Sequence, residues 1–229
     1  FGMVLVSGPT GSGKTTTLYA SINQLNSAER NIVTIEDPSE FLITPSKSCI
    51  IQREVGIDTD SFAVALRSAM RMNPDVIMVG EMRDLETIDA CVKAAETGHL
   101  VLSTLHTHNA ASSINRIVGY FPPEAQENAR HRLAESLTAI ISMRLVLGKS
   151  GETILPVVEV MYATSAIKAC IRDDKLDEVE QYIEKGRDEY GMQTMDQHLI
   201  QLCKDELITL DEAKRVSRSK DLERKMMYS

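Results

Sequence analysis

Nine consecutive residues near the start of the chain have the types and spacing of a phosphate-binding loop. They are Gly8, Pro9, Thr10, Gly11, Ser12, Gly13, Lys14, Thr15 and Thr16. Glycines let the backbone of such a loop turn several N–H groups toward a phosphate, and the positive end of the following helix adds to the attraction. In this pattern the lysine reaches the β and γ phosphates, and the next hydroxyl binds Mg²⁺. We therefore expect a nucleotide at Lys14 and Mg²⁺ at Thr15.

Glu81 stands just beyond a second apolar run, which covers residues 76–79. Open α/β sheets bind ligands at the carboxyl ends of their strands, where a carboxylate can hold the magnesium shell or polarise an attacking water. Gly80 occupies a position at which aspartate is common, so we expect both tasks, metal binding included, to fall on Glu81. The alternative is that Glu81 is a solvated residue that opens the next loop.

Further polar side chains flank two other apolar runs. Glu36 and Asp37 close the run at residues 32–36, while His99 precedes and His106 follows the run at residues 100–105. The two acids lie at a second strand tip and are candidates for the same ligand site. A lone histidine is more often a hydrogen-bonded structural residue than a catalytic one, so neither ring carries a role by its type alone.

Apolar runs alternate with helix-like segments along the first half of the chain. We predict strands at residues 3–6, 32–36, 76–79 and 100–105, and helices at residues 60–72, 84–97 and 109–119. Asp84 is the expected N-cap of the helix at residues 84–97. Strands alternating with helices indicate right-handed βαβ units and an α/β fold with a mostly parallel sheet.

The rest of the chain is predicted to be mainly helical. One long helix is expected at residues 124–147, followed by a strand at residues 154–160 that returns to the sheet. Two capping boxes mark later helix starts, Thr194 with Gln197 and Thr209 with Glu212. We expect a core at residues 1–163 and a C-terminal helical subdomain at residues 164–229.

Composition narrows the classes of partner. The 229 residues carry 25 Lys and Arg against 33 Asp and Glu, a net charge of −8, which disfavours duplex DNA and anionic lipid as the main partner. The 4 cysteines form no CxxC pair, so a zinc module is not expected, and isolated thiols fit a reducing cytoplasm. No secretory signal or membrane-spanning run is present. Because the first apolar run begins almost at once, we expect the chain to be a fragment that starts inside a domain.

Four motifs in a fixed order resemble one protein family. The segments GPTGSGKTTTLYA, TIEDPSEF, IMVGEMRDLETI and AAETGHLVLSTLHTHNA are similar to the Walker A, Asp box, Walker B and His box of the secretion ATPases that drive type II secretion and type IV pili. The later segments VEVM, SAIKACIR and YGMQTMDQ resemble the branch that retracts pili in twitching motility. The resemblance implies a RecA-like phosphate-loop core, ATP as nucleotide and a ring-shaped homo-hexamer.

The same resemblance assigns roles to individual residues. Glu81 is similar to the catalytic glutamate of the family, and Glu36 to the acid that helps hold the metal or the water. His99 and His106 resemble a pair that links the γ-phosphate state to neighbouring parts of the subunit. In this family an N-terminal domain precedes the core and supplies arginines, so we expect the chain alone to bind nucleotide, to hydrolyse it poorly and to be mostly monomeric.

The leading hypothesis is therefore an ATP-driven motor of pilus retraction, acting on a platform protein at the cytoplasmic face of the inner membrane. A pilus assembly or secretion ATPase shares every nucleotide residue, but its usual tetracysteine zinc module has no counterpart here. A nucleic-acid translocase of the same fold would need a basic track or stacking aromatics, and the chain offers 4 Phe, 6 Tyr and no Trp. A small-molecule kinase lacks an identifiable lid, and a nonenzymatic adaptor would not need Glu81.

Overall fold

The computed structural model describes residues 1–217, 219 and 221–228, and its centre is a seven-stranded sheet. The strands are β1 (Gly2–Ser7), β2 (Asn31–Glu36), β3 (Cys49–Glu54), β4 (Val76–Val79), β5 (Leu100–Leu105), β6 (Leu137–Leu147) and β7 (Ile154–Tyr162). Their order is β3-β2-β4-β5-β1-β6-β7, and every neighbouring pair is parallel except β6 with β7. The mostly parallel α/β sheet predicted from the alternation of apolar runs is confirmed.

Helices cover the sheet and continue beyond it. The helices are α1 (Lys14–Leu25), α2 (Phe62–Ala69), α3 (Leu85–Glu96), α4 (Ala110–Val118), α5 (Gln126–Ser136), α6 (Ser165–Arg172), α7 (Val179–Lys185), α8 (Arg187–Tyr190), α9 (Met195–Lys204), α10 (Leu210–Val216) and α11 (Leu222–Tyr228). None of the helices in the described part of the chain is both long and apolar enough to cross a membrane.

The long helix expected at residues 124–147 is wrong. The helix α5 ends at Ser136, and the chain passes directly into strand β6, which pairs with β1 on one side and β7 on the other. Its sequence LTAIISMRLVL supplies branched side chains that pack between two strands, and these contacts outweigh helical spacing. Strand β3 is not among the predicted strands; its sequence CIIQRE follows a stretch rich in Pro and Ser, and in the structure it lies at the edge of the sheet and pairs with β2.

The helix caps predicted from the sequence form completely at two of the three helix starts. The carboxylate of Asp84 accepts the N–H of Thr87 at 2.8 Å, and Thr194 and Gln197 form a complete capping box. At α10 only half of the predicted box forms. Thr209 accepts the N–H of Glu212, but the Glu212 carboxylate turns away to accept the N–H of Leu147 at 2.7 Å and to pair with Arg215. The hydrogen bond from Arg215 lowers the pKa of Glu212 to about 2.

The C-terminal helices pack on the sheet in two groups. Apolar side chains of α6 and α7 belong to the same buried cluster as the central strands, and those of α9 to α11 pack against Val146 and Val157 on β6 and β7. The buried carboxylate of Glu159 on β7 also reaches across to accept the N–H of Ala110, the first residue of α4, at 2.7 Å. The division of the chain at residues 163 and 164 stays a prediction.

Candidate nucleotide-binding site

The glycine-rich loop lies between the end of β1 and the start of α1, as its motif requires. Gly8 and Gly13 have φ angles of 152° and 92°, a region that L side chains rarely adopt. A Cβ on Gly8 would stand 2.4 Å from the carbonyl oxygen of Met143 and 2.5 Å from Oγ of Ser12. The loop therefore needs glycine at position 8 for two separate reasons, backbone conformation and lack of space.

Lys14 points back into this loop. Its side chain is buried, and Nζ donates to the carbonyl oxygens of Gly8 at 3.1 Å and Pro9 at 3.0 Å. Burial lowers the pKa of Lys14, because desolvation disfavours the charged ammonium. Oγ of Ser12 is also buried and has no hydrogen-bond partner among the described residues. A buried cation and a spare hydroxyl inside a loop of backbone N–H groups suit a phosphate.

An open cavity of about 490 Å³ gathers most of the residues that sequence reasoning selected. Its lining includes Thr10, Gly11, Gly13, Lys14, Thr15 and Thr16 from the loop, Glu36, Asp37 and Glu40 after β2, Glu81 after β4, and Thr104 and His106 at the end of β5. They meet because parallel strands bring their carboxyl ends to one edge of the sheet. Pro9 and Ser12 line a neighbouring cavity instead.

Glu81 lies at the centre of the charged groups in this cavity. Its Oε1 is contacted by Nε of Arg83, and its Oε2 lies 3.5 Å from Nε2 of His106. The side chain is 21% exposed, so the carboxylate is held by neighbours yet open to a ligand. Glu81 is thus not the freely solvated loop residue that was the alternative interpretation.

Arg83 was missed by sequence reasoning. Its second contact runs from NH1 to Oδ2 of Asp37 at 3.3 Å, so one guanidinium joins the acids after β4 and β2. The available signal was a basic residue two positions after a strand-end acid. That signal is weak, because most arginines in such loops are solvated.

Glu36 is the most buried acid of the site, with 3% of its surface exposed. Oε1 accepts the hydroxyl of Thr34 at 2.8 Å and the amide of Gln52 at 3.4 Å, while Oε2 accepts the hydroxyl of Tyr19. Tyr19 was not selected from the sequence, although it lies within the quoted GPTGSGKTTTLYA segment. Neutral donors on both oxygens stabilise a buried carboxylate.

His106 extends from the end of β5 toward Glu81. Burial, together with the charges of Lys14 and Arg83, lowers its pKa, so the ring is neutral at physiological pH. The preceding strand is tied to β4 by Thr104, whose hydroxyl donates to the carbonyl oxygen of Gly80 at 2.7 Å. His106 thus lies beside Glu81 in the cavity, and its role stays a prediction.

The structure does not bring His99 to this site, which corrects its inclusion among the catalytic candidates. His99 comes before β5, and His106 comes after it. The six residues of β5 lie between them, so the backbones of His99 and His106 are about 23 Å apart, at opposite ends of the strand. Nδ1 of His99 lies 2.9 Å from the carbonyl oxygen of Ala94 and 3.1 Å from Oγ1 of Thr97, the contacts of a structural residue at a helix end.

The donor set of the cavity fits Mg²⁺. Thr15, Glu36, Asp37 and Glu81 offer only oxygen, the ligand type that this ion prefers. Among the described residues, no three His, Cys, Asp or Glu side chains are grouped so that they could hold a metal alone. That is the usual arrangement for Mg²⁺, which binds through one or two protein oxygens together with substrate phosphates and waters.

Comparison with known proteins finds relatives along nearly the whole chain. The twitching motility protein of Neisseria gonorrhoeae is 48% identical over 221 residues, which cover 96% of this chain and 59% of that protein. A type IV pilus assembly ATPase, PilB of Myxococcus xanthus, is 52% identical over 118 residues, but these cover only 52% of this chain and 20% of that protein.

A solved structure, the pilus retraction motor PilT with bound ADP, superimposes with a TM-score of 0.90 at 47% identity. It covers 97% of this chain, and this chain covers 63% of it. The predicted RecA-like fold is thereby confirmed. This chain spans about 60% of the length of these two long matches. The family model described as type II/IV secretion system protein matches residues 1–220, and the chain belongs to that family.

Proposed function

We propose that this chain is the catalytic core of an ATPase that drives retraction of type IV pili. The observation that carries the proposal is the shared cavity, in which the phosphate-binding loop and the carboxylate of Glu81 face one another. A site that only stored a nucleotide would not need a strand-end acid beside the phosphates. The solved relative with bound ADP and the gonococcal twitching protein support the same interpretation.

The chain's own residues suit phosphoryl transfer to water. Backbone N–H groups of the loop and the ammonium of Lys14 bind the β and γ phosphates and oppose the charge that develops there. Glu81 accepts a proton from the attacking water, and Arg83 and His106 hold that carboxylate in place. Thr15, Glu36 and Glu81 would hold Mg²⁺, which when bound neutralises charge on the β and γ phosphates.

Release of phosphate from ATP tests the enzymatic half of this proposal. The chain alone is expected to hydrolyse ATP slowly in the presence of Mg²⁺, and Lys14→Ala is expected to abolish that activity because it removes the cation of the loop. Equal phosphate release by both proteins would contradict the proposal, since the activity would then arise outside this cavity.

The retraction role rests on the extent of similarity. The match to the twitching protein runs over nearly the whole chain, whereas the match to the assembly ATPase covers about half of it. A strain that lacks the gene is expected to keep surface pili and to lose twitching. Bald cells would instead favour the second candidate, a pilus assembly or secretion ATPase.

The proposal includes two kinds of partner for the whole protein, further copies of itself and a pilus platform protein. A homo-hexamer at the cytoplasmic face of the inner membrane would contact a pilus platform protein there, and no role for nucleic acid or zinc is proposed. The acidic net charge of −8 supports the omission of nucleic acid. Co-purification of the platform protein with the chromosomally tagged ATPase tests this arrangement. The co-purification should be lost in platform mutants.

A further inference from the structure

Tyr19 connects the phosphate-binding helix to the acid after β2. It lies on α1, four residues after Thr15, so the two side chains lie on the same face of that helix. Thr15 lines the nucleotide cavity directly. The hydroxyl of Tyr19 reaches Oε2 of Glu36, which lines the same cavity.

The two carboxylate oxygens of Glu36 accept hydrogen bonds from different residues. Thr34 and Gln52 both donate to Oε1, and Tyr19 is the donor to Oε2 in the described part of the chain. Removal of the Tyr19 hydroxyl would therefore release one oxygen while the other stays held. The carboxylate could then turn about its last side-chain bond, and its direction toward the cavity would no longer be fixed.

Tyr19 is itself held firmly. Its ring packs edge-on against Phe41 with centroids 5.3 Å apart, and its hydroxyl accepts the N–H of Phe41 at 3.2 Å and lies 3.1 Å from the Phe41 carbonyl oxygen, a second acceptor beside Glu36. Burial, followed by the hydrogen bond to Glu36, raises the pKa of Tyr19 to about 12. The hydroxyl therefore stays protonated, and stays a donor, at any pH at which the protein would be assayed.

We propose that Tyr19 is a positioning residue that aims Glu36 at the metal-bound nucleotide. This inference rests on the proposed function, because Glu36 matters in this way only if Mg²⁺ and nucleotide share the cavity. Tyr19 would act on the Mg²⁺-dependent part of binding alone, since its hydroxyl contacts neither the loop nor Lys14 among the described residues.

The test compares binding of adenylyl imidodiphosphate, a nonhydrolysable ATP analogue, with Mg²⁺ and with EDTA, by calorimetry on the full chain. In Tyr19→Phe the ring and its packing remain and only the hydroxyl is lost. We expect the gain in affinity on adding Mg²⁺ to fall about tenfold, the scale of one hydrogen bond to a charged group. The affinity of Tyr19→Phe in EDTA should stay within about twofold of the wild-type value, and its Tm within about 3 °C.

Two comparisons separate positioning from a structural role. Tyr162→Phe is the matched control, because the Tyr162 hydroxyl has no hydrogen-bond partner among the described residues. Tyr19→Phe should add no further loss to Glu36→Gln, because the hydroxyl acts through that carboxylate.

The contrary outcomes distinguish failure of the proposed function from failure of the inference. A wild-type chain that does not bind the analogue at all would overturn the proposed function. A wild-type chain that gains affinity with Mg²⁺ while Tyr19→Phe gains equally would overturn the inference alone. Equal loss with Mg²⁺ and with EDTA, accompanied by a lower Tm, would show a structural role for Tyr19 and would also overturn it.

Discussion

The guanidinium of Arg83 contacts the carboxylate of Glu81, two residues before it in the chain, and also lies 3.3 Å from Asp37. Asp37 follows β2 and Glu81 follows β4, two neighbouring strands of the sheet. One cation thus keeps two acids from separate motifs at the same end of the sheet. These contacts orient the Glu81 carboxylate, which lowers the cost of its reorganisation during reaction.

Glu81→Gln should separate catalysis from binding. We expect turnover of ATP to fall about 10²-fold or more, because an amide does not accept the proton of the attacking water. Affinity for the nonhydrolysable analogue should change little. The control is Glu86→Gln on α3, whose side chain is 75% exposed and lies 4.0 Å from Arg67. Near-normal turnover in Glu81→Gln would remove Glu81 from the proposed mechanism.

Lys14→Ala should act on binding itself. The substitution removes a buried ammonium from the loop, so affinity for ATP and ADP should fall by about 10-fold or more, the scale of a charge-assisted contact. Fluorescent ADP displacement measures this affinity. Lys93→Ala, which removes an exposed lysine of α3, is the matched control. Unchanged affinity in Lys14→Ala would mean that the nucleotide binds elsewhere.

The stability of the chain should depend on the protonation of His106. Its pKa is lowered in the folded protein, so the unfolded chain binds the proton more readily, and stability falls as pH drops below about 6.5. His106→Gln should make the unfolding free energy less sensitive to pH in that range. Part of the pH dependence should remain in this variant, because the pKa of His198 is also lowered by burial. Urea unfolding at several pH values measures this pH dependence, and His131→Gln, at an exposed histidine, is the control. If the unfolding free energy of His106→Gln depended on pH as steeply as that of the wild type, the pH dependence would not come from His106.

Gly8→Ala should damage the fold of the loop, and Gly80→Ala should not. An added Cβ at position 8 meets a backbone oxygen at 2.4 Å, and overpacking of this kind costs about 1–3 kcal/mol before the strained φ is counted. At Gly80 the nearest atom is 3.5 Å away, an ordinary contact. Thermal unfolding of both variants makes the comparison, and an equal Tm for the two would disprove the close packing at Gly8.

The parts of the fold that were predicted correctly are those whose signal is local. Strand β4 is an unbroken apolar run and β5 is apolar except for Ser103 and Thr104, because both faces of a central parallel strand are buried. The junction of α5 and β6 was missed because no Gly or Pro separates them, and the spacing of Leu133, Leu137 and Ile140 is that of one helix face. Only the pairing of β6 with β1 decides in favour of a strand.

In the site, too, residues with a local sequence signal were predicted and residues that depend on distant contacts were not. The phosphate-binding loop is contiguous, so its residues could be identified from spacing alone. Tyr19 and Arg83 act through contacts with Glu36, Glu81 and Asp37, which are 2 to 46 positions away in sequence. Such pairings depend on strand order, and no spacing rule contains that information. His99 was misplaced for a related reason, since a motif does not state which end of its strand faces the ligand.

The stretch between β5 and α4 is anchored at both ends. The hydroxyl of Thr104 donates to the carbonyl oxygen of Gly80, which follows β4, and the N–H of Ala110 donates to the carboxylate of Glu159 on β7. Five residues, His106 included, lie between these two anchors. A displacement of the His106 ring from the nucleotide side would therefore be resisted from two directions. We expect it to be passed on to the residues after β4 on one side and to the start of α4 on the other.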